Sequence, residues 1–182
     1  LGDAEIISAD SRMVYRGMTI GSGKDLDDYI VQGQQVPYHL IDICEPGYRF
    51  NVYEFQCAFQ NAYMDITARQ RMPIMCGGTG LYIESVLKSY ELGQVRFPER
   101  KSLTIGLKID RDLRREKITR RLKARLEEGM IEEVQSLLQT VSAERLIRYG
   151  LEYKFVTLYC TGQLSYDEMF RQLEIAIHQF AK

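Results

Sequence analysis

The stretch that decides the fold is MPIMCGGTGLYIESVL, residues 72–87. Its first five residues, Met72 to Cys76, have the length and apolar content of a buried strand. The turn residues Gly77-Gly78-Thr79-Gly80 follow at once, and the residues from Leu81 onward are typical of a helix. A strand that runs through a glycine-rich turn into a helix is the repeating element of α/β proteins.

The same alternation extends in both directions along the chain. Further strands are predicted at AEIISA (4–9), YHLIDIC (Tyr38–Cys44) and LTIGLKID (Leu103–Asp110). Helices are predicted from Val52 to Arg69, with Asn51 as N-cap and Glu54 three residues on, from about Asp112, and on both sides of Gly162. Strands that alternate with helices predict an α/β fold, in which a mostly parallel sheet is flanked by helices on both faces.

The composition describes an ordinary globular protein without a global charge signal. The chain has 182 residues, a formal net charge of −1, 45% hydrophobic and 27% charged residues. The four cysteines include no CxxC pair and the two histidines are too few for a histidine-based metal site, so no metal site is predicted. No signal peptide and no membrane-spanning run is visible. We therefore expect a cytoplasmic protein without membrane contacts.

The sequence between Tyr90 and Lys101, YELGQVRFPERK, has no clear period and contains Gly93 and Pro98. This composition indicates a linker, or a place where an insertion is missing. We predict a first part of the core at 1–89, a linker at 90–101, and a second part with C-terminal helices at 102–182. Both ends of the sequence look truncated, since Leu1 is not Met and Lys182 stands inside a helical pattern.

Polar residues stand where the predicted strands end, which is where parallel sheets bind their ligands. Asp10-Ser11 follows the first strand, Asp42 ends the second, and Thr79 lies in the turn after the third. A carboxylate there can accept a proton, and a threonine in a glycine-rich turn can bind an anion or a base edge. Each motif also has a purely structural alternative, which is an N-cap for Asp10-Ser11 and a tight strand-to-helix connection for the glycine-rich turn. Neither GGTG nor GSGKD has Walker A spacing.

Four segments carry a family resemblance: EIISADSRMVYRGMTIGSGK, HLIDICEP, MPIMCGGTGLYIESVL and LEYKFVTLYCTGQLSYDEM. In this order the chain resembles the tRNA dimethylallyltransferases, also called tRNA isopentenyltransferases, of bacterial type. The resemblance implies a nucleotide-binding (ATP-binding) type of fold, the P-loop-kinase-like α/β fold. It also implies transfer of a dimethylallyl group from dimethylallyl diphosphate to N6 of adenosine 37 in tRNA.

The chain departs from the family pattern in several places. The family's phosphate-binding loop precedes the segment that here begins at Glu5, and most of its helical insertion has no counterpart near 90–101. Met13 replaces the usual Gln, Asp25 the usual Pro, and Phe155 breaks the late motif that Tyr153 and Lys154 match. Residues 1–182 on their own are therefore expected to bind an anticodon stem-loop weakly and not to transfer dimethylallyl.

The resemblance assigns roles to individual residues. It implies that Asp10 is the general base and that Thr79 acts beside it as a second catalytic residue. It also implies that Asp10, Ser11, Arg12, Met13 and Thr79 contact the substrate tRNA. Arg16, Lys24 and Lys154 are candidate diphosphate or phosphate contacts, with a solvated surface side chain as the alternative for each.

The segment RDLRREKITRRLKAR, residues 111–125, holds eight basic residues against Asp112 and Glu116. Taken alone, this pattern indicates a solvated helix face with a few ion pairs. Within the family, the alternative of a face that contacts tRNA phosphates gains support.

The expected partners are a tRNA anticodon stem-loop and dimethylallyl diphosphate, and a monomer is expected. Since diphosphate gains charge as it leaves, we expect Mg²⁺ as cofactor, bound through phosphate oxygens rather than by a protein cage. Two alternatives remain open: a small-molecule kinase of the same fold in which Asp10 activates a hydroxyl, and a tRNA-binding protein without catalysis.

Overall fold

The computed structural model describes residues 3–90, 92 and 101–181. Its strands are β1 (Ala4–Ser8), β2 (Ile30–Val31), β3 (Gln34–Gln35), β4 (Tyr38–His39) and β5 (Met72–Cys76). Its α-helices are α1 (Val52–Ala68), α2 (Gly80–Leu87), α3 (Arg111–Glu127), α4 (Met130–Leu137), α5 (Ala143–Leu146), α6 (Leu151–Cys160) and α7 (Tyr166–Phe180). Short 3₁₀ helices occupy Leu26–Tyr29 and Ile147–Tyr149.

Strand β1 lies at the centre of a parallel three-stranded sheet of order β4-β1-β5. All five residues of β1 pair with β5, from Ala4 opposite Met72 to Ser8 opposite Cys76. The parallel register brings the carboxyl ends of β1 and β5 to the same edge. The α/β class predicted from the sequence is confirmed, and the two strands that precede Asp10 and Thr79 are neighbours.

Helix α1 begins where the sequence predicts. The Asn51 side chain accepts a hydrogen bond from the Glu54 N–H, and the Glu54 carboxylate accepts one from the Asn51 N–H, at 3.0 Å each. This capping box satisfies two amides that the first helical turn leaves without partners. The apolar side of α1 then packs on the sheet, with Phe55 and Ile66 fully buried beside Ile7 of β1.

Helix α2 adds to the same core through Tyr82, whose ring stacks on that of Phe55 with centroids 4.0 Å apart. Burial of two aromatic side chains in contact is among the larger contributions a small core can contain. Ala9, in the loop after β1, belongs to the same apolar cluster as Phe55 of α1 and Tyr82 of α2. Both helices therefore pack against the region where β1 and β5 end.

The chain divides into two compact units. The first comprises Leu1–Arg16 and Gly23–Lys101, with the sheet, α1 and α2. The second comprises Gly17–Ser22 and Ser102–Lys182, with α3 to α7. Each of these five helices contributes buried apolar side chains to this unit, and one more comes from a connecting segment. They are Leu122, Met130, Val134, Leu137, Val141, Leu146, Tyr153, Phe155, Val156, Met169 and Leu173. Gly162 separates α6 from α7, as predicted.

Two strand predictions need correction. Residues 103–110 form no strand, and Leu103 and Leu107 are 86% and 91% exposed. Their alternating pattern favours a strand only when a neighbouring backbone supplies hydrogen bonds, and within the described part of the chain none pairs with this segment. The strand predicted at Tyr38–Cys44 ends at His39, because Leu40 and Asp42 adopt left-handed backbone angles with φ of 65° and 55°.

The predicted linker at 90–101 lies almost wholly outside the described residues. In the ranges that the structure covers, no helix has both the length and the apolar content needed to cross a bilayer.

Candidate active site

The structure brings Asp10, Ser11 and Thr79 together at the carboxyl edge of the sheet. The Ser11 N–H donates to Thr79 Oγ1 at 2.9 Å, and the Thr79 hydroxyl donates to Ser11 Oγ at 3.2 Å. Main-chain bonds extend the β1–β5 pairing into the two loops, from Ala9 N to Cys76 O at 2.8 Å and from Thr79 N to Ala9 O at 3.1 Å. We call residues Asp10, Ser11, Arg12, Met13 and Thr79 the strand-end site.

Gly77 permits the close approach of the two loops. A Cβ at this position would lie 2.5 Å from both the carbonyl carbon and the oxygen of Ala9, which no side chain tolerates. At the next residue, Gly78, a Cβ would meet nothing within 4 Å. The glycine-rich turn therefore has one position that requires glycine for packing, and that position sets the distance between Asp10 and Thr79.

The Asp10 carboxylate is oriented by the backbone that follows it. Its Oδ1 accepts hydrogen bonds from the N–H groups of Arg12 at 2.8 Å and Met13 at 3.4 Å. This is the Asx-type turn that an aspartate after a strand commonly forms. The direction of the carboxylate thus depends on where residues 12 and 13 are held.

An aromatic pair lies close to the strand-end site. The rings of Tyr29 and Tyr38 meet edge to face with centroids 4.9 Å apart. Burial raises the pKa of Tyr29, and electrostatic repulsion by neighbouring groups, among them Asp28 and Asp10, raises it further. Tyr29 therefore remains protonated at neutral pH, and the pair offers ring faces and hydroxyl groups.

The three basic residues predicted to contact phosphate occupy different environments. Arg16 pairs with Glu45 at 2.7 Å, and both side chains are largely exposed. Lys24 is buried, and its ammonium group donates to the Tyr15 carbonyl and to Asp42. Lys154 belongs to the second unit, where its ammonium lies 5.2 Å from the centre of the Phe155 ring. The three cations therefore differ in burial and in the groups that they contact.

Helix α3 presents most of its basic residues to solvent. Arg111, Arg115, Lys117, Arg120 and Lys123 are exposed, whereas Arg125 is buried and faces the helical core. A groove of about 720 Å³ between α3 and α7 is lined by three of the cations together with Glu116 and Glu174. The groove therefore carries both signs of charge.

Sequence reasoning missed a second cluster, which fixes residues 17–22. The Glu133 carboxylate accepts hydrogen bonds from the N–H groups of Thr19, Ile20 and Gly21 at 2.8, 2.7 and 3.1 Å. The Tyr153 hydroxyl donates to the same carboxylate at 2.8 Å, and burial raises the pKa of Tyr153 well above its usual range. No local sequence pattern predicts this contact, because the Glu133 carboxylate is more than a hundred residues away from the amides in sequence.

The strand-end site offers oxygen ligands but no metal cluster. Within the described ranges, no three His, Cys, Asp or Glu residues are placed to hold a metal ion together. The site supplies one carboxylate and two hydroxyls, which are the hard oxygen donors that Mg²⁺ accepts. This donor set suits a cation that takes most of its ligands from a bound substrate and from water.

The fold and the strand-end site define an α/β protein with polar side chains beyond the carboxyl ends of parallel strands, the place where such sheets commonly bind ligands. Comparison with known proteins narrows this class. The family model of IPP transferase matches residues 13–102 and 93–182, and the chain belongs to that family.

The similar proteins carry related names. The tRNA dimethylallyltransferase 2 of Phocaeicola vulgatus is 48% identical over 99% of this chain and 78% of its own length. The tRNA dimethylallyltransferase 1 of Parabacteroides distasonis shows the same identity and coverage. The crystal structure of the full-length tRNA isopentenylpyrophosphate transferase from Bacillus halodurans superimposes with a TM-score of 0.80 at 28% identity, over 98% of this chain and 76% of that one.

Proposed function

We propose that the protein transfers a dimethylallyl group from dimethylallyl diphosphate to N6 of adenosine 37 in tRNA. The observation that carries this proposal is the strand-end site, where Asp10 directly precedes Ser11, and the N–H and hydroxyl of Ser11 are both hydrogen-bonded to Thr79 Oγ1. Two relatives that are 48% identical to this chain over 239 aligned residues bear the name tRNA dimethylallyltransferase. The family resemblance supports the expectation that the same residues meet the reacting amine.

In the proposed reaction, a bond forms between N6 and C1 of the dimethylallyl group while the bond from C1 to the diphosphate oxygen breaks. Diphosphate leaves with the electron pair, and the proton of N6 passes to the Asp10 carboxylate. Since an exocyclic amine of adenine is a poor nucleophile, alignment of N6 with C1 contributes more than the basicity of Asp10. The Arg12 and Met13 amides hold the carboxylate in one direction for this transfer.

The hydroxyls of Ser11 and Thr79 would contact the extruded adenosine or the isoprenoid diphosphate. An enzyme that modifies a base in a loop must take that base out of its stack, so a pocket of polar side chains and aromatic faces is required. Arg12 and Met13 follow in the same loop, and Tyr29, which is close enough for Asp10 to affect its pKa, adds ring surface together with Tyr38.

Mg²⁺ is part of the proposal. It would be held mainly by diphosphate oxygens, with the Ser11 and Thr79 hydroxyls as the nearest donors of the chain, and would neutralise charge on the departing diphosphate. Loss of transfer in excess chelator, restored by added Mg²⁺, is the expected behaviour.

We also propose that this chain lacks, near residues 90–101, an insertion that its relatives contain. The alignment with the Phocaeicola vulgatus relative runs over 239 positions, more than the 182 residues of this chain. That relative therefore carries residues within the matched region that have no counterpart here. The two matches to the family meet at residues 93–102, which supports placing the difference there.

The experiment is single-turnover transfer from labelled dimethylallyl diphosphate to an anticodon stem-loop, using the protein in the form that its gene encodes. Asp10→Asn keeps the shape of the side chain and an oxygen that can accept the amide hydrogen bonds, but it removes the base. We expect the rate constant at saturating substrates to fall on the order of 10²–10⁴-fold, with little change in stem-loop binding.

Asp28→Asn is the matched control, since Asp28 is an exposed carboxylate in the same unit and lies outside the strand-end site. A normal rate for Asp10→Asn would remove Asp10 from the role of base. Phosphoryl transfer from ATP to a small alcohol, without any dimethylallyl transfer, would overturn the proposal in favour of a kinase.

A further inference from the structure

Lys24 is the most deeply buried cation of the described residues, and it lies beside the loop that carries Asp10. The residue is 1% exposed, although lysine is almost never fully buried without partners. Its ammonium donates to the Tyr15 carbonyl at 2.6 Å and forms an ion pair with Asp42. Both acceptors are needed there, because a buried ammonium without them is strongly unfavourable.

The two acceptors belong to two different loops at the carboxyl edge of the sheet. Tyr15 stands in the loop that follows β1 and Asp42 in the segment that follows β4. Main-chain bonds join the same loops, from Asp42 N to Met13 O at 3.0 Å and from Ile43 N to Val14 O at 2.8 Å. Lys24 adds a further connection between the two loops, because its ammonium binds the Tyr15 carbonyl in one loop and the Asp42 carboxylate in the other.

This cross-link leads to Asp10 through a short series of contacts. Residues 13 to 15 are held by the Asp42 segment and by Lys24. The amides of Arg12 and Met13, just before them, determine the direction of the Asp10 carboxylate. If residues 13 to 15 shift, these amides shift and the carboxylate turns with them.

We propose that Lys24 is a positioning residue, whose buried ammonium fixes the loop after β1 and thereby the direction of the Asp10 carboxylate. The proposal rests on the function proposed above. It replaces the expectation that Lys24 contacts phosphate, since its ammonium is enclosed and already bonded to two groups of the chain. Asp42 is its partner in this role.

The test compares Lys24→Met with Ile66→Val in the gene-encoded protein. Methionine fills a similar volume without the ammonium, so the protein should fold. Ile66→Val shortens a fully buried side chain in the same unit and serves as a control for a general loss of stability. In Lys24→Met we expect kcat for dimethylallyl transfer to fall about 10²-fold, with KM for the stem-loop nearly unchanged. Ile66→Val should leave kcat close to that of the unaltered protein.

A second readout does not depend on activity. In the unaltered protein, Asp10→Ala should shift the NMR amide signals of Arg12 and Met13, since it removes their acceptor. In a Lys24→Met background the two amides should already be shifted, and Asp10→Ala should change them little further. Asp42→Asn, which keeps an oxygen acceptor but removes the charge, should give a smaller shift in the same direction and provides a reading if Lys24→Met does not fold.

The two proposals can fail separately. The positioning role would be overturned, whatever the activity, by one NMR result. In folded Lys24→Met, the amide signals of Arg12 and Met13 would be unshifted and would still respond fully to Asp10→Ala. If the unaltered protein transfers no dimethylallyl group while the amides behave as expected, the positioning role stands and the proposed reaction falls.

Discussion

At the scale of single residues, Gly77 shows how one missing side chain determines the strand-end site. The main chain of Ala9 occupies the space that a Cβ at residue 77 would need. The loops that carry Asp10 and Thr79 can approach each other only because that space is free. The hydrogen bonds between Ser11 and Thr79 then keep the two loops close together.

We expect Gly77→Ala to separate these loops. The added methyl would lie 2.5 Å from backbone atoms that cannot rotate away, so the free energy of unfolding should fall by about 1–3 kcal/mol. Gly78→Ala is the matched control, with nothing within 4 Å of the new Cβ. Urea denaturation of both variants measures the difference, and equal stabilities would show that the loops give way without cost.

The sequence predicts that the loops of Asp10 and Thr79 meet, but it does not predict the contacts that support these loops. Asp10 and Thr79 stand directly after strands, and parallel pairing alone brings such positions to one edge. The ion pair of Lys24 with Asp42 has no comparable signal. It depends on the left-handed backbone of Asp42 and on the burial of Lys24, and neither follows from residue type or spacing.

At the scale of elements, helix α4 supplies the carboxylate that fixes the segment 17–22. Glu133 accepts three consecutive backbone amides and the Tyr153 hydroxyl, so α4, α6 and the segment share one polar centre. Hydrogen bonds to a charged acceptor are stronger than those between neutral groups.

We expect Glu133→Gln to lower the free energy of unfolding by about 1.5–3 kcal/mol, because one oxygen acceptor is replaced by an amide donor that faces N–H groups. Glu132→Gln is the control, since Glu132 is exposed on the neighbouring position of the same helix. Thermal unfolding followed by circular dichroism compares the two. A Glu133→Gln protein as stable as Glu132→Gln would mean that water satisfies these amides equally well.

Helices were predicted more accurately than strands because their signals are local. The capping box at Asn51 and the break at Gly162 depend on neighbours a few residues away. A strand depends on a partner that can be distant in sequence. Residues 103–110 have the right alternation but no partner in the described ranges, so the pattern alone predicted an element that is absent there.

At the scale of the whole molecule, the stability should depend on pH through Glu5. This carboxylate is buried on β1 and is surrounded by Arg69, Arg71 and His39, with His39 Nε2 at 2.7 Å. Hydrogen bonds from Arg69, followed by those from His39, lower the pKa of Glu5 from 4.5 to about 2 despite its burial. A lowered pKa means that the folded state holds this proton less tightly than the unfolded state does.

The contribution of Glu5 is therefore complete above pH 4.5 and is lost as the pH falls towards about 2. In Glu5→Gln this part of the pH dependence should disappear, and the protein should be less stable at pH 7, where Arg69 and Arg71 lose a buried partner. Melting temperatures of both proteins between pH 7 and pH 2 provide the measurement. Parallel curves for the two proteins would contradict the assignment.

The hydrogen bonds from residues 19–21 to Glu133 also have a consequence for folding during translation. A ribosome that has just added Gly21 must add 112 more residues before the acceptor for its amide exists. At 5–20 residues per second this takes roughly 6–22 s, and the exit tunnel delays the acceptor further. During that interval the three amides lack the acceptor that binds them in the folded structure. This segment can therefore acquire its native hydrogen bonds only after Glu133 has been synthesised.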